Sequence, residues 1–251
     1  MRYGRGAAVA SLALVFAASA RAEEAFDHAE WTRLLERYVD GDGRVAYRDL
    51  AARDGAAFDA YLAALAAARP DAWPRAERLA FWINAYNAVI IKAVLDGYSA
   101  ESLLGRYRIF FRYERTVAGA ARTPDDIENR ILRPSGEARL HFALVCASSS
   151  CPTLRRQAWS GATLDRDLDE EARRFVRDPR RNQIRPGAAD IHLSMIFKWY
   201  RDDFGGNDEA VRELVGRYSD EPERIYLHAQ RPDIEYRDYD WTMNAQPGQR
   251  P

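Results

Sequence analysis

A long helix with a continuous apolar side is the feature that most constrains how this chain can fold. Between Leu79 and Val94, large apolar residues return every three or four positions, which is the period of an α-helix. Gly97 follows the last of them and is typical of a helix end. A helix of this length has to bury its apolar side, so the sequence predicts a core built against it.

Shorter elements of both types surround that helix. Apolar residues at i, i+3, i+4 and i+7 predict an amphipathic helix from Trp31 to Tyr38. The interleaving of helices and strands predicts an α+β fold, with several amphipathic helices packed around a small, mainly antiparallel sheet. We expect a single domain over residues 24–245 and a flexible tail at 246–251. Further helices are predicted over residues 55–69, 123–132, 163–175, 195–204 and 208–218, and strands over residues 107–118, 140–145, 191–193 and 234–240.

Residues 1–22 have the pattern of a secretory signal peptide. Arg2 and Arg5 precede an apolar run from Ala7 to Ala18, and small residues then provide two cleavage sites of the small-x-small type. The run is shorter than the roughly 18–20 residues that span a bilayer, so we expect no integral membrane segment after signal removal. The expected location is therefore the periplasm or the exterior of the cell.

The composition excludes several classes of protein. The chain has 251 residues, of which 47% are hydrophobic and 30% charged, as in a globular protein. Its 37 basic and 38 acidic residues nearly cancel, so we expect no nucleic-acid partner. Gly41–Ala46 fits a dinucleotide fingerprint only formally, because it follows a helix and has acidic residues where a pyrophosphate would bind. We expect no cofactor, and a small molecule or a peptide as the ligand.

The strongest candidate for chemistry is the segment from His141 to Pro152, which contains both cysteines of the chain. In one interpretation Cys146 is a nucleophilic thiol activated by a histidine, and the amides of residues 147–150 stabilise an oxyanion. On a straight strand His141 and Cys146 would point to opposite faces, about 16 Å apart, so His141 can act only if the chain turns. His192, on another predicted strand, is the alternative base.

Two further interpretations of this segment stay open. An exported chain with two cysteines favours a Cys146–Cys151 disulfide, because the serine-rich turn between them permits Cα atoms within about 7 Å. A zinc site would add His141 to the two cysteines, but the spacing is unusual and the sequence shows no evident fourth ligand.

Polar residues on two predicted helices are the remaining candidates. Asn84 and Asn87 lie on one side of the long helix among large apolar residues, so their amides need hydrogen-bond partners inside the core. We expect them to bond neighbouring backbone, or to orient a histidine or a substrate. On the aromatic helix that Ser194 caps, Asp203 is the one candidate site residue.

The sequence resembles an uncharacterised family found in bacteria and plants, the domains of unknown function 547. The resemblance covers most of the chain after residue 22 and implies an envelope or exported protein in bacteria, without an established reaction. It also implies that plant members keep the equivalent of Cys146 and often lack those of His141 and Cys151, which favours a thiol function. The matching stretches are Ala80-Phe-Trp-Ile-Asn-Ala-Tyr-Asn-Ala88, Asp126-Ile-Glu128 with Ile131-Leu-Arg133, His141-Phe-Ala-Leu-Val-Cys146 through Cys151-Pro152, Leu193-Ser-Met-Ile-Phe-Lys-Trp-Tyr200 before Asp203-Phe204, and Tyr239-Asp-Trp-Thr-Met-Asn244.

These observations lead to two competing functions. The first is a cysteine-dependent hydrolase or acyltransferase that acts on amide or thioester bonds. Its nucleophile is Cys146, its base is His141 or His192, and Asn84 or Asp203 orients that base. The alternative is a noncatalytic envelope binding or interaction module, in which a structural disulfide between the two cysteines fixes a recognition loop.

Overall fold

The computed structural model describes residues 26–251, so the predicted signal peptide at residues 1–22 lies outside the described residues. Helices alternate with short strands along the chain, and the predicted α+β class is confirmed. The helices are α1 (Ala29–Tyr38), α2 (Tyr47–Ala67), α3 (Arg75–Leu95), α4 (Leu103–Phe111), α5 (Leu164–Val176), α6 (Met195–Trp199), α7 (Asp208–Tyr218) and α8 (Glu221–Gln230). The strands are β1 (Arg115–Val117), β2 (Ala120–Arg122), β3 (Asp190–Leu193) and β4 (Asp233–Tyr236).

Helix α3 is the centre of the fold. Every residue from Leu79 to Ile91 is buried, which means that the helix is covered on all sides rather than along one stripe. Helix α2, helix α5 and the π-helix at residues 126–132, which lies within the predicted helix over 123–132, contact it. Among the described residues α3 is the one helix whose length and hydropathy also match a membrane span. Because 83% of that apolar window is buried within the protein, its surroundings are those of a core helix.

The apolar core consists of two clusters joined by α5. The larger cluster contains α1, α2 and α3, together with Leu164 and Leu168 from the first half of α5. The smaller cluster contains α6, α7 and α8, together with Phe175 from the second half of α5. Tyr239 packs against both clusters, so the C-terminal segment closes the seam between them.

The strands form two separate pairs in the described part of the chain. Strands β1 and β2 form an antiparallel hairpin, whereas β3 and β4 pair in parallel. The parallel pairing follows from the connection, since α6, α7 and α8 lie between the two strands and provide the long crossover that parallel strands need. The β-structure is therefore smaller and more dispersed than one antiparallel sheet.

Of two predicted strands, one is correct only near its end and the other is wrong, because local hydrogen bonds favour helical turns. Residues 107–118 begin inside α4, and only Arg115–Val117 of this range is a strand, β1. The cap of α4 is Ser102, whose hydroxyl accepts a 3.0 Å hydrogen bond from the Gly105 amide. Residues 138–142 form a 3₁₀ turn instead of the first half of a strand over 140–145. Helix α8 was not expected from the sequence, although Glu223 accepts a hydrogen bond from the Asp220 amide in the manner of a capping box.

The two asparagines of α3 connect the core helix to distant loops. The Asn87 side chain donates to the Ala143 carbonyl at 3.0 Å and accepts from the Val145 amide at 2.9 Å. Asn84 makes both of its hydrogen bonds to a single residue: it donates to the carbonyl of Trp159 at 2.8 Å and accepts from the amide of Trp159 at 2.9 Å. Both side chains are buried, and each thereby satisfies two backbone groups that have no access to water.

Replacing Asn87 with Ala should destabilise the protein by on the order of 3 kcal/mol, because it leaves a buried carbonyl and a buried amide without partners. Denaturant unfolding of wild type, Asn87→Ala and the exposed control Gln230→Ala measures the difference. If Asn87→Ala unfolds at the same denaturant concentration as the control, these two hydrogen bonds do not hold residues 143–145 in place.

Candidate functional site

A cleft of about 320 Å³ lies where α3, α4, α6 and the C-terminal segment meet. Its lining is largely aromatic, and it contains both cysteines, His141 and several ionisable groups. This combination of apolar surface with a few converging polar groups is typical of small-ligand sites. The lining residues are Tyr86, Phe110, Phe111, Asp125, Glu128, Asn129, Arg133, His141, Leu144, Cys146, Cys151, Pro152, Ile196, Trp199, Tyr200, Tyr239 and Trp241.

The two cysteines form a disulfide in this structure, with their Cα atoms 6.1 Å apart. Cys146 is half-buried on the cleft wall, whereas Cys151 is buried behind it. The Tyr239 hydroxyl lies 3.3 Å from the Cys146 sulfur and 3.2 Å from the Cys151 sulfur, and the Ser148 hydroxyl lies 3.2 Å from the Cys146 sulfur. In this state neither sulfur is a nucleophile, so thiol chemistry at Cys146 requires reduction of the bond.

The serine-rich loop between the cysteines is pinned to the C-terminal segment. The amide of Ser149 donates to the Thr242 carbonyl at 2.8 Å, and the amide of Ser150 donates to the Asp240 carbonyl at 3.2 Å. These two amides, which were expected to stabilise an oxyanion, are therefore already hydrogen-bonded. The nearest hydroxyl donors to the Cys146 sulfur are instead those of Ser148 and Tyr239.

His141 belongs to a charged chain that spans distant parts of the sequence. Its Nε2 atom lies 2.7 Å from a carboxylate oxygen of Asp203, and the Arg133 guanidinium donates to both oxygens of that carboxylate at 2.6 and 3.0 Å. The Arg133 hydrogen bonds lower the pKa of Asp203, so the carboxylate is ionised and can only accept hydrogen bonds. Nε2 of His141 must therefore carry the hydrogen.

The His141 ring is neutral near pH 7 because of its burial. Burial lowers its pKa to about 4, although the hydrogen bond with Asp203 and the charge of that carboxylate act to raise it. The ring stacks on Tyr200 with a centroid distance of 3.7 Å, which fixes its plane. A neutral imidazole with its hydrogen on Nε2 has its lone pair on Nδ1, so Nδ1 is the basic nitrogen.

The turn at residues 138–142 changes the relation between His141 and Cys146. A straight strand would place them on opposite faces, whereas in the structure both side chains line the same cleft. Asp203 contacts the His141 ring, which is the contact expected of a residue that orients this base. The structure thus brings together three of the predicted site residues.

The other two predicted residues lie elsewhere. His192 is on β3, its ring is half exposed, and Nε2 lies 3.3 Å from Asp190; it does not line the cleft. Asn84 is fully buried and bonds the Trp159 backbone, so its amide groups face a loop of the core rather than a histidine. As for a zinc site, no group of three or more His, Cys, Asp or Glu side chains between residues 26 and 251 is arranged to hold a metal ion.

Glu128 is a cleft residue that the sequence analysis did not select. Its side chain is only 8% exposed, and this burial raises the pKa of its carboxyl above the usual range. The hydroxyls of Tyr86 and Tyr200 interact with that carboxyl and partly oppose the shift. Glu128 lies in the Asp126-Ile-Glu128 stretch that carries part of the family resemblance, which was the available signal.

Comparison with known proteins defines the class of domain. The family described as "Protein of unknown function, DUF547" matches residues 70–176, a segment that includes α3, the π-helix with Glu128 and both cysteines. This segment is a domain of that family, which confirms the assignment for the motifs between Ala80 and Pro152; the motifs at residues 193–204 and 239–244 lie outside the matched range. Neither the curated proteins nor the solved structures give a match to this chain.

The buried neutral histidine predicts a pH dependence of stability. Because the pKa of His141 is lowered from 6.5 to about 4, the unfolded chain takes up a proton that the folded protein does not, as the pH falls below 6.5. Its contribution is thus present above pH 6.5 and is lost towards pH 4. Between pH 7 and pH 5 this single group should lower the free energy of unfolding by about 2 kcal/mol.

Denaturant unfolding at pH 7 and pH 5 measures this effect. His141→Gln should lose less stability than wild type over that interval, by about 2 kcal/mol. His192→Gln, at an exposed ring, is the matched control and should not remove that loss. Equal losses in wild type and His141→Gln would show that the ring is not buried in its neutral form.

Proposed function

We propose that the protein is a thiol-dependent acyl hydrolase or acyltransferase that acts on amide or thioester bonds once its disulfide is reduced. The observation that carries the proposal is the pairing of His141 with Asp203, which leaves Nδ1 as the basic nitrogen of a ring that lines the same cleft as Cys146. A histidine oriented by a carboxylate and placed near a thiol is the arrangement that nucleophilic catalysis by cysteine needs.

The reaction proceeds in two steps. The Cys146 sulfur attacks the acyl carbon and forms a carbon–sulfur bond while its proton passes to Nδ1 of His141, and the bond to the leaving group then breaks as His141 returns the proton to it. In the second step water, or another acceptor, attacks the acyl-enzyme and gives its proton to His141, which returns it to the Cys146 sulfur. The Tyr239 hydroxyl, 3.3 Å from that sulfur, donates to the developing oxyanion.

Reduction is part of the proposed cycle. The disulfide accepts two electrons and two protons from a dithiol reductant, which becomes a disulfide itself, and Cys146 is then a free thiol. Cys151 acts as the partner that protects or silences it in an oxidising compartment. Export to the periplasm or beyond belongs to the same proposal and is supported by the pattern of residues 1–22.

Cys146→Ser and Cys151→Ser should behave in opposite ways. Cys146→Ser removes the nucleophile and should lower the hydrolysis of a thioester probe by on the order of 1,000-fold, with or without dithiothreitol. Cys151→Ser leaves Cys146 unpaired, so it should be active without a reductant, whereas wild type should need one. Thiol release from acyl thioesters of different chain length, followed at pH 7, measures all three proteins.

Intact mass after rapid quenching adds a second readout, because the acyl-enzyme increases the mass of Cys151→Ser but not that of Cys146→Ser. If reduced wild type and Cys151→Ser form no acyl-enzyme with thioester or activated amide probes, the hydrolase proposal is wrong. Thermal unfolding of both variants serves as the control for folding.

A noncatalytic binding module is the second candidate, because the structure contains the disulfide that it requires. In this case the bond holds the wall of an aromatic cleft, and its reduction weakens ligand binding rather than starting a reaction. Ligand-induced shifts of the unfolding temperature, measured with and without reductant on peptide and small-molecule sets, distinguish the two functions. Binding that is lost in Cys151→Ser, together with absent turnover, favours the module.

A further inference from the structure

We propose that α4 is a docking surface for an anionic phospholipid bilayer, placed beside the mouth of the cleft. The first observation is the exposure of large apolar side chains on one side of this helix. Leu103 is 79% exposed, Leu104 58%, and Tyr107 and Phe111 51% each. Since α-helical residues advance by 100°, these four side chains cover a continuous arc of about 100°.

Such a cluster is uncommon on the surface of a protein that has no partner. Single exposed apolar residues are normal, but several adjacent ones mark a surface that contacts another molecule or a membrane. The opposite side of α4 is anchored by Ile109, which is fully buried. The helix is therefore held in place while its apolar side faces outwards, and Tyr107 and Phe111 stack on each other at 5.9 Å.

The arginines next to this surface favour an anionic membrane as its binding partner. Arg108 is exposed on the flank of the apolar arc, and Arg112 is exposed at the residue that follows α4. Within residues 26–251 neither forms an ion pair with a carboxylate. An outward apolar arc bordered by arginines is the pattern of helices that lie in the interface of anionic membranes.

Aromatic residues extend the surface towards the cleft. Phe110 and Phe111 line the cleft as well as belonging to α4, and Trp199, on the opposite rim, is half exposed. The guanidinium of Arg106 lies 4.4 Å from the ring of Trp241, which connects α4 to that rim. Tryptophan and tyrosine are favoured at the level of lipid headgroups. A docked protein would thus present its cleft to molecules at the membrane surface.

A local fluorescence probe tests the docking without interference from the rest of the chain. The full chain with Leu104→Cys is labelled with an environment-sensitive dye under non-reducing conditions, and Ile225→Cys, at an exposed apolar residue of α8, is the matched control. With vesicles of phosphatidylglycerol and phosphatidylcholine, the dye at residue 104 should shift to the blue and be quenched by spin-labelled lipid. The dye at residue 225 should do neither.

Vesicle flotation of unlabelled variants gives the affinity. Arg108→Gln with Arg112→Gln should weaken binding to anionic vesicles by on the order of 30-fold, as expected for about 1 kcal/mol from each charge. Leu103→Ser with Leu104→Ser should weaken it by about tenfold or more, and Ile225→Ser should leave it unchanged. Cys146→Ser should bind like wild type, so a failure of the hydrolase proposal would not affect this result.

The proposal is overturned if the dye at residue 104 responds no more than the dye at residue 225, or if the α4 variants float like wild type. Equal binding to pure phosphatidylcholine would remove the role of the arginines. A concentration-dependent dimer that the Leu103→Ser and Leu104→Ser changes dissociate, with no response to vesicles, would assign the surface to a second copy of the chain instead.

Discussion

The buried amides of helix α3 are the constraint on which the site depends. An apolar helix that is covered on all sides needs chain wrapped around it, and the backbone of that chain carries polar groups that water cannot reach. Asn87 accepts and donates to residues 143–145, directly between His141 and Cys146. By taking up these backbone groups, Asn87 stabilises a turn where the sequence pattern predicts a strand, and the turn brings His141 and Cys146 to one cleft.

Burial shifts the pKa values of two ionisable groups of the cleft in opposite directions. Burial lowers the pKa of His141 and raises the pKa of Glu128, so both are favoured in their neutral forms. Arg133 keeps Asp203 ionised between them. A histidine in its neutral form and a carboxyl whose neutral form is favoured by burial thus line one aromatic cleft, and an ionised carboxylate contacts the histidine. The proposed hydrolase function uses the histidine and this carboxylate.

The sequence predicts those parts of the structure that local pattern controls. The apolar period predicts α1 and α3, and the sequence also predicts α5 and α7 close to their observed bounds. The predicted strand over 107–118 is correct only at Arg115–Val117, because the Ser102 cap starts a helix that continues to Phe111. The predicted strand over 140–145 is wrong, because Asn87 binds this backbone from a distant part of the chain. His141 and Asp203 are 62 residues apart in the sequence. No rule based on spacing could therefore have shown that His141, rather than His192, has the carboxylate partner.

The tautomer of His141 is the most direct test of the account, because the proposed chemistry depends on a free lone pair at Nδ1. Long-range ¹H–¹⁵N NMR of the ring nitrogens, with His141→Gln used for assignment, reports which nitrogen carries the hydrogen. We predict a neutral ring at pH 7 with its hydrogen on Nε2, and titration of the ring only near pH 4. A charged ring at pH 7, or a hydrogen on Nδ1, would contradict the account.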